Sequence, residues 1–373
     1  MPLGARAELL HECERWASLG VEGHFQGETA WMPYHHLLTE PLAWLVGAKP
    51  VEVVAMNSLT VNLQLLLSGF YSPSRHRRKI LIEQRAFPSD RHAVLTQILH
   101  HGGDPTHDLI EVPTDENGLI SEQSIINAIR MHDEELALVL WPGVQYATGQ
   151  AFDLKKLAHE AHAVGAYFAA DLAHAVGNLE LKLHDARVDF AVWCSYKYLN
   201  AGPGALAGAF VHERHADFFG RRLGGWWGHE QESRFLMGPE FRPIRGAQGW
   251  QLSNPSIFAA APLRASLKLF QAAGWERLQT KSSQLTTHLA KGIQATLDDR
   301  IEIITPLTPG SHGCQLSLRL RGGREQGRKL FEQLHALGII CDWREPDVIR
   351  AAPVPLYNNL DDVEALLEGL RAF

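Results

Sequence analysis

The feature that most constrains this chain is a recurrent pair: a short apolar run that does not alternate, then a stretch with helical periodicity. Strand-like runs fall at 51–55, 79–83, 109–112, 136–141, 166–170, 189–194 and 206–211. Helical patterns occupy 60–70, 89–101, 122–132 and 153–164. A non-alternating apolar run suits a strand covered on both faces. Strands separated by helices are joined by crossovers, which set neighbours parallel. The pattern predicts an α/β fold with a large, doubly wound, mostly parallel sheet. Ser89 and Asp153 are expected to be helix N-caps. From about Pro262 the character changes. A long helical stretch at 263–297 leads into strands near 301–304 and 315–320 and a helix at 324–336. That predicts a smaller α+β domain at the C-terminal end. The expected division is a helical segment at 1–29 lying near the small domain, a large domain over 30–262 and a small domain over 263–373.

In open α/β sheets, ligands bind beyond the carboxyl ends of the strands. After 166–170 come Asp171 and His174; after 189–194 come Tyr196 and Lys197. After 79–83 come Phe87, Pro88, Ser89 and Asp90, and after 51–55 come Leu59 and Thr60. A lysine there can form a Schiff base with an aldehyde cofactor. A neighbouring aspartate can hold a protonated pyridine nitrogen. A helix N-terminus with hydroxyls can hold a phosphate. A flat ring can stack on a flat cofactor. Together these describe a site for pyridoxal 5'-phosphate. Each residue alone has an ordinary reading: an aspartate after a strand is most often a turn or cap residue, a loop lysine is solvated, and Tyr196 or Phe87 alone would be core. The combination carries the argument.

Composition narrows the alternatives. Thirty-five basic against 42 acidic residues leave a net charge of −7, a poor footprint for nucleic acid. The four cysteines, Cys13, Cys194, Cys314 and Cys341, form no CxxC pair, so neither a zinc finger nor a disulfide framework is indicated. The N-terminal residues carry charges at Arg6, Glu8, Glu12 and Glu14 in place of a signal peptide's apolar stretch. No apolar run approaches the ~20 residues of a membrane span. A cytoplasmic, membrane-free protein is expected. His159-Glu160-Ala161-His162 is HExH, not HExxH, and reads as a solvated helix face; no metal site is expected.

Several segments make the reading more specific: AFPSD at 86–90, DLAHAVGN at 171–178, WCSYKYLNAGPG at 193–204, GGWWGHE at 224–230, QLSNP at 251–255 and IICDWREPDVIRAAPVPLYN at 339–358. From about Gly20 onward the chain resembles kynureninase, a family of fold type I, aspartate-aminotransferase-like enzymes. The resemblance implies a pyridoxal-phosphate-dependent transferase-like fold. It implies hydrolysis of L-kynurenine, or 3-hydroxykynurenine, to anthranilate and L-alanine, in tryptophan catabolism or NAD biosynthesis. By that likeness Lys197 is the Schiff-base lysine and, with Tyr196, catalytic. Asp171 pairs with the pyridinium and Phe87 stacks on the ring. Leu59, Thr60, Pro88, Ser89, Asp90 and His174 line the cofactor pocket, and Tyr196 reaches the phosphate. Trp226 and Asn254 are implied to come from the partner of a homodimer with shared sites. His24 and Asn254 meet the aromatic end of the substrate, and Arg350 clamps its carboxylate. Two departures are visible. The family's GNSLG-type segment is absent upstream of the first helix, which begins almost at Met1-Pro2-Leu3-Gly4, so a weakened substrate pocket is expected. Pro142 stands where the family often carries a hydroxyl, so one polar contact to the cofactor is expected to be lost. The alternatives are another lyase of the cysteine desulfurase-like group, or a weakly active cofactor-binding protein.

Overall fold

The structure, a computed structural model, describes residues 1–218 and 220–373. The chain divides into two units: 1–115, 120–143 and 153–272 form the first, and 116–119, 144–152 and 273–373 form the second.

The first unit is built on a seven-stranded sheet of β1 (Val53–Ala55), β2 (Lys79–Glu83), β3 (Leu109–Val112), β4 (Leu136–Pro142), β5 (Tyr167–Asp171), β6 (Phe190–Trp193) and β7 (Gly208–Val211). Their spatial order is β1-β7-β6-β5-β4-β2-β3. The strands from β3 to β6 in that order are parallel, as crossover helices require, and β7 runs antiparallel to both β6 and β1. The sheet is thus mostly parallel with one reversed strand. Trp141 and Trp193 are completely buried in it.

Helix α1 spans Ala5–Leu19, α2 His36–Val46, α3 Leu59–Phe70 and α4 Pro88–His100. Helix α3 is apolar nearly all round, and Leu63, Leu66, Leu67 and Phe70 pack in one cluster with Phe190 and Val192 of β6. Truncating such a leucine to alanine costs about 2–5 kcal/mol. Its N-terminus is pinned by Asn62, whose Nδ2 donates to Met56 O at 2.9 Å and whose Oδ1 accepts from Asn57 Nδ2 at 2.9 Å. The start of α3 is thereby held just past the end of β1.

Three expectations are corrected. Ser89 is not an N-cap: Phe87 takes that position and α4 begins at Pro88, whose locked φ and missing N–H suit a first helical position. Asp153 does cap its helix, accepting from Lys156 N. The stretch at 263–297 is two helices, Ile257–Ala273 and Trp275–Thr296, separated at Gly274 with φ of 74°, a conformation only glycine adopts freely. The division between units therefore falls at 272/273, because the helix containing Pro262 continues through it. The N-terminal helix belongs to the first unit, where Glu8 pairs with Arg264 at 3.1 Å and Lys268 at 2.5 Å.

The second unit carries a four-stranded antiparallel sheet of β8 (Ile301–Ile303), β9 (Leu316–Leu320), β10 (Asp342–Arg344) and β11 (Val348–Ala351), in the order β10-β11-β9-β8. Helices Trp275–Thr296, Gly323–Ala336 and Leu360–Arg371 join its core through Leu289, Ile293, Leu330, Leu334, Leu367 and Leu370. Among the described residues, no helix is long and apolar enough to cross a membrane.

Candidate active site

Because β5 and β6 are parallel neighbours, their carboxyl ends open on one side. Asp171 ends β5 and is 8% exposed, and its Oδ1 accepts from the Ala173 amide at 2.7 Å. That bond, made by the turn after the strand, fixes the carboxylate's orientation. Across the sheet Asp171 faces Pro142, so the position that lacks a hydroxyl is a direct neighbour of the aspartate.

Asp90, from the first turn of α4, is 6% exposed, and its carboxyl stands beside that of Asp171. Its Oδ1 has no hydrogen-bond partner. Burial, and then the charges of Asp171 and of Glu83 at the end of β2, hold the Asp90 carboxyl well above the usual range; Lys197 pulls the other way.

Lys197, in the segment after β6, has its Nζ 5.7 Å from the centroid of the Phe87 ring. Phe87 caps α4 and stays 37% exposed. Tyr196 is half exposed. Partial burial and a hydrogen bond to the Cys194 thiol push its phenol up to about 12. His174 is buried, edge-on to Tyr198 with ring centroids 6.0 Å apart. Leu59 and Thr60 are the first two residues of α3, whose N-terminus has no side-chain cap. Ser89 follows Pro88 in α4, whose start is likewise uncapped by a side chain. The structure therefore places Asp90 beside Asp171 and Lys197 near the Phe87 ring, and sets helix starts beyond neighbouring strands.

The remaining predicted residues form separate groups. Trp226 opens a 3-10 turn, Trp226–Gly228, and its Nε1 donates to Arg234 O at 3.1 Å. That turn lies on the segment before Asn254: Trp227 N donates to Leu252 O, and Asn254 Oδ1 accepts from Ser253 Oγ at 3.2 Å. His24 ends the 3-10 turn Gly20–His24 and stands edge-on to Trp31. None of these contacts is to Lys197 or Asp171. Arg350 lies in the second unit on β11. Its Nε donates to Asp342 Oδ2 at 2.6 Å, and its Nη1 donates to Tyr146 O at 2.5 Å.

These residues fit pyridoxal phosphate on the structure's own terms. Asp171, a buried carboxylate at the strand end with a single backbone donor, can accept the N–H of a pyridinium. An exposed aromatic face stands beside the lysine, and helices of 12 and 13 residues offer first-turn amides for a phosphate. The Asp90–Asp171 pair was not legible beforehand; the sole hint was that both follow apolar runs.

Other clusters are already satisfied. Glu160 is held by Arg130 and His162 by Asp189, so the HExH residues diverge. A cavity of about 920 Å³ opens beside Asp189, at the far end of β6 from Lys197. Glu52, His184 and His212 bring ligand-type atoms within 4.8 Å, yet Glu52 already accepts from His184 Nδ1 and from the Lys49 and Glu213 amides. Burial keeps the Cys194 thiol above its ordinary value and pushes Cys341 up to about 11, so neither is a ready nucleophile.

The fold resembles a cysteine desulfurase from Thermococcus onnurineus NA1, with TM-score 0.79, 17% identity and coverage of 98% of this chain and 91% of that one. It also resembles a cystine C-S lyase, C-DES, with TM-score 0.81, 18% identity and coverage of 100% and 95%. At such identities the likeness establishes the fold alone. Residues 278–370 match a family model described as the kynureninase C-terminal domain. Proteins named kynureninase from Xanthomonas euvesicatoria pv. vesicatoria and Xanthomonas axonopodis pv. citri are 58% and 57% identical over 373 residues, all of this chain and 88% of each relative. A likeness of that depth over the whole length, on a fold of this type, means that the chain belongs to the kynureninase family.

Proposed function

We propose that this protein hydrolyses L-kynurenine to anthranilate and L-alanine with pyridoxal phosphate as cofactor. The observation that carries the reading is the buried Asp90–Asp171 pair one strand away from Lys197, in a chain of this family. When bound, the cofactor supplies an electron sink for charge developing at the substrate's α-carbon. Lys197 would attach the cofactor through its Nζ and would carry the substrate's α-proton. Asp171, oriented by the Ala173 amide, would accept the pyridine N–H, with Asp90 packed beside it. Phe87 would stack on the ring, and Pro88 would line the same pocket. Leu59, Thr60, Ser89 and Tyr196 hold the phosphate, and His174 lies beside Asp171. Water adds to the substrate's γ-carbonyl, and the Cβ–Cγ bond breaks to release anthranilate and alanine.

Substrate recognition in this reading uses His24 and Asn254 at the aromatic end and Arg350 at the carboxylate, where a planar guanidinium makes two parallel hydrogen bonds. Trp226 and Asn254 act across a homodimer, in a cytoplasmic enzyme that takes kynurenine or 3-hydroxykynurenine.

The test is anthranilate fluorescence from purified protein given pyridoxal phosphate and L-kynurenine, with absorbance scanned in parallel. Anthranilate release at an enzymatic rate is expected. Bound cofactor without anthranilate overturns the reaction. For the shared site, Lys197→Ala and Trp226→Ala variants are mixed. Recovered activity is expected, because a hybrid dimer keeps one intact site; no recovery overturns sharing.

A further inference from the structure

We propose that Trp31 is a positioning residue for His24: a buried indole, clamped by Glu12, sets where the His24 ring stands. The inference rests on the reading of His24 as a substrate-binding residue.

Helix α1 buries one carboxylate completely, that of Glu12. Burying a carboxylate is costly unless it is bonded. Glu12 Oε2 accepts the indole Nε1–H of Trp31 at 2.7 Å. Arg15, one turn on, lies 3.4 Å from the same oxygen and 6.0 Å from the centre of the Trp31 ring. The Arg15 Nη2 also donates to Gly23 O at 3.3 Å and to Gln26 O at 2.7 Å. The helix thus grips both the indole and the loop that carries His24.

The loop is shaped around that indole. Trp31 N donates to Gly23 O at 3.0 Å, and Met32 N donates to His24 O at 3.1 Å. The ring lies flat on Gly23, where a Cβ would come within 2.7 Å of it, so only glycine fits. His24 packs edge-on to the indole, with centroids 5.1 Å apart and planes at 84°. Its Nδ1 is 3.1 Å from Val21 O, an atom that can only accept. In the neutral ring Nδ1 therefore carries the proton and Nε2 is left as an acceptor. Trp31 sets the backbone beside His24 and the indole edge against its ring, and Val21 O sets its tautomer.

The experiment uses the full chain with pyridoxal phosphate and compares Trp31→Phe, Glu12→Gln, His24→Ala and the double variant His24→Ala/Trp31→Phe. Trp31→Phe keeps a ring but loses the bond to Glu12, so the KM for L-kynurenine should rise about tenfold, the worth of a charge-assisted hydrogen bond. The kcat, the cofactor affinity and the cofactor absorbance should stay near wild type. Glu12→Gln keeps an acceptor without charge and should raise KM less, in the same direction. In the His24→Ala background, Trp31→Phe should add nothing, since a residue acting through another is not additive with it. Independently of turnover, diethyl pyrocarbonate should modify His24 several-fold faster in Trp31→Phe, read by peptide mass spectrometry. An equal KM rise with and without His24, or an unchanged modification rate, overturns the inference. If Trp31→Phe does not fold, Glu12→Gln decides by the same two readouts. Wild-type protein that makes no anthranilate overturns the functional reading instead, and the modification rate still decides whether Trp31 braces His24.

Discussion

Two buried aspartates at opposite ends of adjacent strands meet the cost of burial in different ways. Asp189, at the start of β6, is 1% exposed. It accepts from Phe168 N at 2.7 Å, His162 Nε2 at 2.8 Å, His215 Nε2 at 2.7 Å and Arg214 Nη2 at 2.5 Å. Burial alone would raise its carboxyl; the two histidine bonds, the Arg214 charge and the Phe168 amide outweigh it and hold the group far below the usual range. At the other end, Asp171 has one backbone donor and a second carboxyl, Asp90, as neighbour. Burial costs are similar, but the chain answers them with donors in one place and with another acid in the other. A carboxylate whose needs are met internally ties elements together. One whose needs are not met waits for a ligand.

This contrast can be broken by substitution. The largest effect is expected at the lysine end of the unsatisfied pair. Lys197→Ala should lower kcat/KM by at least about 10³-fold and abolish the visible absorbance of lysine-bound cofactor. An unchanged absorbance would show that another residue attaches it. Next, Asp189→Ala should cost about 3 kcal/mol by leaving Arg214 and two histidines around an empty place, while kcat/KM of the folded protein stays put. Urea unfolding read beside the kinetics separates the two, and a loss of activity without a loss of stability would erase the distinction drawn here.

The pH dependences should have opposite signs. Asp189 has a depressed folded value, so its stabilisation is complete above the unfolded value of about 3.9 and is lost as pH falls toward the folded one. Asp90 has a raised folded value. Its ionisation therefore penalises the cofactor-free fold increasingly as pH rises from about 4 through that value. Asp90→Asn should then raise the Tm of the cofactor-free protein at pH 8, leave it unchanged at pH 4, and weaken cofactor binding. Equal Tm changes at both pH values would mean that Asp90 is an ordinary polar residue. The smallest expected effect concerns Phe87. Replacing it with Leu removes a stacking face worth about 1 kcal/mol and should weaken cofactor affinity severalfold without moving the pH profile.

Much of this was readable in advance because it is local. The seven runs of the large sheet, the helix over α3 and the chemistry at the strand ends follow from hydrophobic periodicity and from the residues that come next. The misplaced details were local too, where a stronger rule intervened. Pro88 took the first helical position from Ser89, and Gly274 cut a periodic stretch in two. The likeness carried by AFPSD, DLAHAVGN and SYKYLNAG then marked which strand ends matter.

The sequence by itself therefore determined which segments are strands and helices and that Lys197 and Asp171 share one edge. A period of two or 3.6 residues, and the rule that crossovers give parallel neighbours, are encoded in neighbouring residues. Only the tertiary structure decided that β7 runs antiparallel, that Asp90 lies beside Asp171, and that Glu12 grips Trp31. These depend on strand order, register and the packing of elements distant in the chain. Such contacts are set when the whole core closes, and no single window of sequence contains both partners and the geometry between them.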